Sequence, residues 1–142
     1  MKVKVIKNPH PIMIGDIFTR IKMSDDLDKK QVLILGNPEP EIYVPVAELI
    51  NYHKVNCRNL YIFAMDEWAE QDGNIAPVNY KAGFAHSMLN YFVYQIGEEL
   101  RMPMDNVYYL TNKNINDYSK LITEIGERVL MYFTQVLAGP DT

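Results

Sequence analysis

Apolar residues along the chain alternate between continuous runs and helical spacing. KVKVI at the start alternates polar and apolar side chains, which predicts a half-buried strand over residues 2–6. Residues 11–29 place isoleucine and phenylalanine at helical intervals and predict an amphipathic helix. QVLILG (31–36) and LYIFAM (60–65) are unbroken apolar runs that predict strands, and VPVAELINYH (44–53) between them predicts a helix.

This order of elements indicates a fold class. Strands 31–36 and 60–65 show little polar alternation, which is typical of strands buried on both faces of a parallel sheet. Alternating strands and helices favour the same arrangement. We therefore predict an α/β protein, with a Rossmann-like parallel sheet and flanking helices. A length of 142 residues suits one domain.

The second half of the chain is less regular. Residues 69–80 are polar, contain Gly73 and Pro77, and predict a loop. An aromatic-rich segment with one broad apolar face predicts a helix over 81–100. RMPMDNVYYL then predicts a turn and a short strand, and NINDYSKLITEIG predicts another helix. An apolar stripe continues beyond it to a Gly-Pro stop, which predicts that residues 127–138 are helical too.

Composition excludes several classes of partner and site. The net charge of -4 offers no basic face for nucleic acid. No apolar run approaches a membrane span or a signal peptide, so no membrane partner and a cytoplasmic location are expected. The single Cys57 leaves no internal disulfide, and the scattered His10, His53 and His86 give no metal-ligand spacing.

Candidate chemistry lies in FAMDEW, residues 63–68, where an apolar run ends in Asp66, Glu67 and the only tryptophan, Trp68. In open parallel sheets, ligands bind beyond the carboxyl ends of the strands. Neighbouring strand residues point to opposite faces, so one acid is expected to face a ligand while backbone or a partner orients the other. The alternative interpretation is that both acids cap the following loop.

AMDEW, the later APVNY and the still later MPMDNVYYL together resemble the glucosamine-6-phosphate deaminase (isomerase) family. Its usual strand end is an NMDEY-like motif, followed by a Ser-Tyr segment and a P-x-x-N turn; the likeness extends more weakly from Gln31 to Gly126. It implies a fold like that of ribose-5-phosphate isomerases and coenzyme A transferases. It also implies aldose-to-ketose isomerisation of a sugar or sugar phosphate with loss of ammonia, and no cofactor.

The resemblance assigns roles to four residues. Asp66 would be catalytic and carry a proton from C2 to C1 of the opened sugar through an enolic intermediate, and Glu67 would support it. Gly36 and Asn37 would bind substrate, because the first strand of the family ends in a loop that cradles the sugar phosphate. In GNPEPE, residues 36–41, two prolines lack N–H donors, and each glutamate would repel a phosphate by on the order of 1 kcal/mol at close range. We therefore expect weak binding of sugar phosphates.

The carboxyl-terminal segment departs further from the family. The family continues with a glycine-rich strand end and a histidine that helps to open the sugar ring, and residues 127–142 match neither as written. A shifted reading frame from the Glu127 codon is compatible with that motif. We therefore expect residues 1–142 to form a single partial domain, which a frameshift leaves incomplete at the carboxyl end and which is inactive alone. Apolar surface left open would then favour a homo-oligomer.

Two alternatives to the deaminase interpretation remain. The chain is a noncatalytic binding or assembly module if Asp66 and Glu67 both serve as caps and an apolar patch is exposed elsewhere. It is a hydrolase similar to 6-phosphogluconolactonase if the shared fold carries that chemistry instead, although that family also needs the downstream histidine motif.

Overall fold

The structure is a computed structural model that describes residues 7–36 and 38–126, together with the backbone of residues 131–134. Helices and strands alternate along the chain in the order α1 His10–Asp26, β1 Gln31–Leu35, α2 Pro40–His53, β2 Leu60–Ala64, α3 Phe84–Tyr91, β3 Val107–Tyr108, α4 Tyr118–Gly126 and β4 Met131–Thr134. Single 3-10 turns occupy Val93–Gln95 and Met104–Asn106. The predicted strand over residues 2–6 and the predicted substrate-binding residue Asn37 lie outside the described residues.

The four strands form one parallel sheet in the order β3-β2-β1-β4. β1 and β2 are paired along their whole length, from Gln31 opposite Leu60 to Leu35 opposite Ala64. β4 runs parallel to β1 on its other side, with Thr134 opposite Leu35. The predicted α/β class with a Rossmann-like parallel sheet is therefore confirmed.

Helices cover both faces of the sheet. All five residues of β1 are buried. Leu33 and Leu35 pack in a cluster with residues of α1, α2 and α3, whereas Val32 and Ile34 pack with Tyr118 and the apolar side of α4. A strand covered on both faces favours apolar residues, which accounts for the run VLIL, whereas the polar residue Gln31 is buried at the start of the strand. No helix in the described ranges combines the length and apolarity that a membrane crossing would need.

The helix predicted over residues 81–100 is much shorter than expected. α3 ends at Tyr91, and Phe92 leaves the helical conformation with φ -128° and ψ -70°. Near this end the Asn90 side chain donates a hydrogen bond to the carbonyl of His86, and the Gln95 side chain donates one to the carbonyl of Asn90. The carbonyl of Asn90, near the end of the helix, is thus bonded by a side chain instead of by the N–H of a further turn, so the apolar periodicity overstated the helix.

The helix predicted over residues 127–138 is wrong at residues 131–134, which form β4. The edge of β1 opposite β2 would present unpaired backbone groups without this strand. The segment MYFT is rich in aromatic and β-branched residues, which favour strands. Pairing with a buried strand therefore outweighs the helical spacing, and the remainder of the predicted helix lies outside the described residues.

Candidate active site

The carboxyl ends of β1 and β2 lie side by side and bring two predicted site residues, Gly36 and Asp66, to the same end of the sheet. Leu35 and Ala64 are opposite each other in the sheet, and the backbone N–H of Met65 donates a hydrogen bond of 2.9 Å to the carbonyl of Leu35. Gly36 and Asp66 follow directly beyond this edge. The strand order also reverses at β1, with β2 on one side and β4 on the other. Such a switch point is where ligands bind in open parallel sheets.

Asp66 presents a carboxylate that no described residue engages. Among the described residues, none donates a hydrogen bond to this side chain or forms an ion pair with it. Although the residue is exposed overall, partial burial at the strand end raises the pKa of its carboxyl group, and the Glu67 carboxylate adds to the rise. A carboxylate with free oxygens and a raised pKa can accept a proton and return it.

Glu67 is in a different environment, because both of its oxygens cap helix α3. Oε1 accepts hydrogen bonds from the backbone N–H groups of Phe84 at 3.0 Å and Trp68 at 2.9 Å. Oε2 accepts one from Ala85 at 2.7 Å. The first N–H groups of a helix have no partner within the helix, and the positive end of its dipole favours a carboxylate. Glu67 thus ties the end of β2 to the start of α3.

The loop from Trp68 to Gly83 is shaped around this cap. A Cβ atom at position 83 would lie 3.0 Å from the carbonyl of Tyr80 and 3.3 Å from Oε1 of Glu67, so glycine permits the close approach. The Trp68 indole N–H donates a hydrogen bond of 3.1 Å to the carbonyl of Ala82. Its ring also packs against Phe84, with 5.7 Å between ring centroids. The residue after the carboxylate pair is therefore held at two points.

Tyr118, at the start of α4, joins the ends of β2 and β3. Its buried hydroxyl donates to the carbonyl of Ala64 at 2.8 Å and lies 3.1 Å from the carbonyl of Tyr108. Burial raises the pKa of the Tyr118 phenol, so the hydroxyl keeps its proton as a donor. Sequence reasoning missed this residue, and its only signal is its position at the head of an apolar helical stripe.

The β1–α2 connection is poorly suited to phosphate. Gly36 is buried, and its carbonyl accepts a hydrogen bond of 3.2 Å from the Tyr43 hydroxyl. α2 begins at Pro40, which has no N–H to donate. Glu39 lies at the same helix start, with its Oε2 atom 3.3 Å from Nε2 of His10. The packing of α1 against α2 brings this histidine to the edge of the site, and no local sequence signal predicted it.

The described side chains do not assemble a metal site. No three His, Cys, Asp or Glu residues in that part of the chain come together as ligands. The groups available for chemistry at the sheet edge are accordingly the Asp66 carboxylate, the backbone of the β1 connection and the His10–Glu39 pair.

Comparisons with known proteins support the fold. No protein-family model matches the chain, and neither does any curated protein sequence. A solved structure similar to it is that of a monomeric glucosamine-6-phosphate deaminase, described as a missing link of the NagB superfamily. The TM-score is 0.64 at 16% identity, over 89% of this chain and 52% of that enzyme. The chain thus spans about half the length of the deaminase, and the fold that the sequence resemblance implied is confirmed.

Proposed function

We propose that this chain carries the proton-transfer site of an amino-sugar isomerase of the glucosamine-6-phosphate deaminase kind, with Asp66 as the proton carrier. The observation that carries the proposal is the position of Asp66. Its carboxylate, which no described residue engages, follows β2 at the carboxyl end of the sheet, near the β1 connection and the switch point. Ligands of this class of sheet bind there.

The proposed reaction moves one proton between adjacent carbons. The Asp66 carboxylate removes the proton from C2 of an open-chain 2-amino aldose whose amine is protonated. The electron pair forms the C1–C2 double bond of an enolic intermediate, and O1 takes up a proton from the ammonium group. The protonated carboxyl then returns the proton to C1, which leaves an imine at C2. Water hydrolyses the imine and releases ammonia and the ketose. One carboxylate within hydrogen-bond reach of both carbons suffices for the two transfers.

Other residues at the edge position this carboxylate and the sugar. Glu67 acts as a positioning residue, because its bonds to Phe84 and Ala85 fix the backbone that bears Asp66. Gly36 and Asn37 are proposed to contact the sugar from the β1 connection. Pro40 and the neighbouring carboxylates argue against a phosphate at that connection, so the favoured substrate is an amino sugar whose binding a phosphate does not improve.

Among the steps of the reaction, ring opening has the fewest candidate catalytic groups in the described site. The family histidine motif is not in the sequence, whose histidines are His10, His53 and His86. His10 contacts Glu39, and His86 lies within α3, where Asn90 Nδ2 approaches its Nδ1 at 3.3 Å. We therefore expect proton transfer on the sugar that opens spontaneously, and no deaminase turnover at an enzyme-like rate by the 142-residue chain.

The test separates proton transfer from the later steps. Loss of the C2 proton signal of glucosamine in D2O, followed by NMR, reports the first transfer without requiring ammonia release. The proposal expects protein-dependent exchange that Asp66→Asn abolishes. Exchange that is equally fast in Asp66→Asn would contradict it.

A second candidate function, a noncatalytic binding module, is favoured by one pair of observations. Glu67 serves as a helix cap, and Trp68 beside it is 56% exposed. A binding module would cause no proton exchange at C2, and its affinity for its partner would depend on Trp68. The exchange experiment therefore distinguishes the two candidates.

A further inference from the structure

A pocket of about 310 Å³ lies beside the carboxylate pair, on the loop that leads from β2 to α3. Its volume falls in the range of small-molecule sites, which begins at roughly 300 Å³. The lining residues are Trp68, Ala69, Glu70, Ala76, Pro77 and Tyr80. The pocket lining thus begins at Trp68, two residues after Asp66.

Trp68 is fixed in place while more than half of it is exposed. Its indole N–H bonds to the carbonyl of Ala82, and its ring packs against Phe84 at an interplanar angle of 32°. Nevertheless, 56% of the residue remains exposed. A large aromatic ring held in one orientation loses little conformational freedom when a ligand stacks on it. The geometry therefore resembles a prepared contact surface.

Backbone hydrogen bonds also fix the segment that carries Tyr80, another lining residue. Tyr80, which is 48% exposed, donates its N–H to the carbonyl of Pro77 and accepts from the N–H of Gly83, both at 2.8 Å. Ala76 donates its N–H to the carbonyl of Trp68 at 2.8 Å. One backbone hydrogen bond thus joins Ala76 to Trp68 and another joins Tyr80 to the adjacent Pro77, so the backbone positions of the two aromatic residues do not depend on a ligand.

Charge decides what such a pocket favours. Among the described residues, Glu70 is the only charged one that lines the pocket, and it forms no ion pair with any other of them. A carboxylate attracts a cation and repels a phosphate. Aromatic rings attract an ammonium group through their faces. The lining therefore suits a ligand that combines an apolar surface with a positive charge.

We propose that this pocket binds the ring of an unphosphorylated amino sugar, with the apolar C–H surface of the ring against Trp68 and Tyr80 and its ammonium group toward Glu70. The inference deepens the proposed function, on which the choice of a sugar as the ligand rests. It names the substrate class and the residues that select it, whereas Asp66 supplies the chemistry.

Fluorescence of Trp68 tests this directly, because it is the only tryptophan in the chain. Titration with glucosamine should give a saturable change, while glucose and glucosamine-6-phosphate should each bind at least about fivefold more weakly. Tyr80→Ala and Glu70→Gln should each weaken glucosamine binding by about fivefold or more. Tyr94→Ala is the matched control, because Tyr94 is 49% exposed and does not line the pocket. Circular dichroism checks that each variant is folded.

Three outcomes would overturn the inference: no saturable change with glucosamine, equal affinity for all three sugars, or affinities unchanged in folded Tyr80→Ala and Glu70→Gln. Its failure is distinguishable from that of the proposed function. Glucosamine binding without exchange at C2 would contradict the proposed function alone. Asp66-dependent exchange that both pocket variants leave unaltered would contradict the pocket alone.

Discussion

Oε2 of Glu67 lies 2.7 Å from the backbone nitrogen of Ala85, so the residue next to Asp66 caps the helix at the far end of a long loop. The cap joins the end of the buried strand β2 to the start of α3. The loop between these two elements carries the residues that line the pocket. Three backbone N–H groups, those of Trp68, Phe84 and Ala85, thus hold the Glu67 carboxylate in place. We therefore assign Glu67 the capping role and expect the adjacent Asp66 to carry the chemistry.

Removal of the cap should destabilise the protein. Glu67→Ala leaves the N–H groups of Phe84 and Ala85 without their acceptor and is expected to lower the free energy of unfolding by about 1 to 2 kcal/mol. Urea denaturation measures the change. Glu48→Ala is the control, since Glu48 is exposed on α2 and should change stability little. Equal stability of the two variants would contradict the capping role.

The Tyr118 hydroxyl should contribute in a similar way at the ends of β2 and β3. Tyr118→Phe keeps the ring but removes the donor to the carbonyl of Ala64, and it should cost about 1 kcal/mol of stability. Tyr52→Phe is the matched control, because Tyr52 is 81% exposed and its hydroxyl bonds to no described residue. Thermal denaturation that ranks the two variants equally would refute the role of this hydroxyl.

The raised pKa of Asp66 predicts a pH dependence of stability. The folded protein holds the proton more tightly than the unfolded chain, so the stability from this group is present below the ordinary pKa of 3.8 and is lost as pH rises through the folded value. Asp66→Asn should therefore be at least as stable as the parent near about pH 7, with the difference vanishing toward about pH 3. Urea midpoints across this range measure it. A variant markedly less stable at neutral pH would indicate a structural role instead.

The β1 connection should disfavour phosphate. We expect calorimetry to show glucosamine-6-phosphate binding no tighter than glucosamine. Glu41→Gln removes one negative charge beside Pro40 and should improve phosphate-sugar binding by roughly fivefold, which corresponds to on the order of 1 kcal/mol at close range. Glu48→Gln, on the same helix but farther along it, should have no effect. Tight binding of the phosphate sugar that depends on residues 36–41 would contradict this.

The fold and part of the site could be predicted from local sequence, and the rest depended on distant contacts. β1 and β2 were predictable because strands buried on both faces favour apolar residues, and the position of Asp66 follows from where β2 ends. The cap by Glu67 joins residues 18 positions apart, and the bond from Tyr118 to Ala64 joins residues 54 apart. β4 forms where the open edge of β1 needs a partner. The contacts of Glu67 and Tyr118 are not visible in spacing or propensity, and at β4 the strand propensity of MYFT competes with helical spacing of apolar residues.

The proposed role of Asp66 as proton carrier is tested most directly by exchange of the C2 proton of glucosamine with D2O. The rate is compared among the parent protein, Asp66→Asn and Asp72→Asn. Asp72 is the control, because it is an exposed carboxylate in the same loop that bonds only to Asn74 among the described residues. We expect the exchange rate of Asp66→Asn to fall at least about 100-fold, the lower range for a positioned acid–base group, while Asp72→Asn keeps the parent rate. Equal rates in the two variants, or no protein-dependent exchange in the parent, would contradict the role of Asp66.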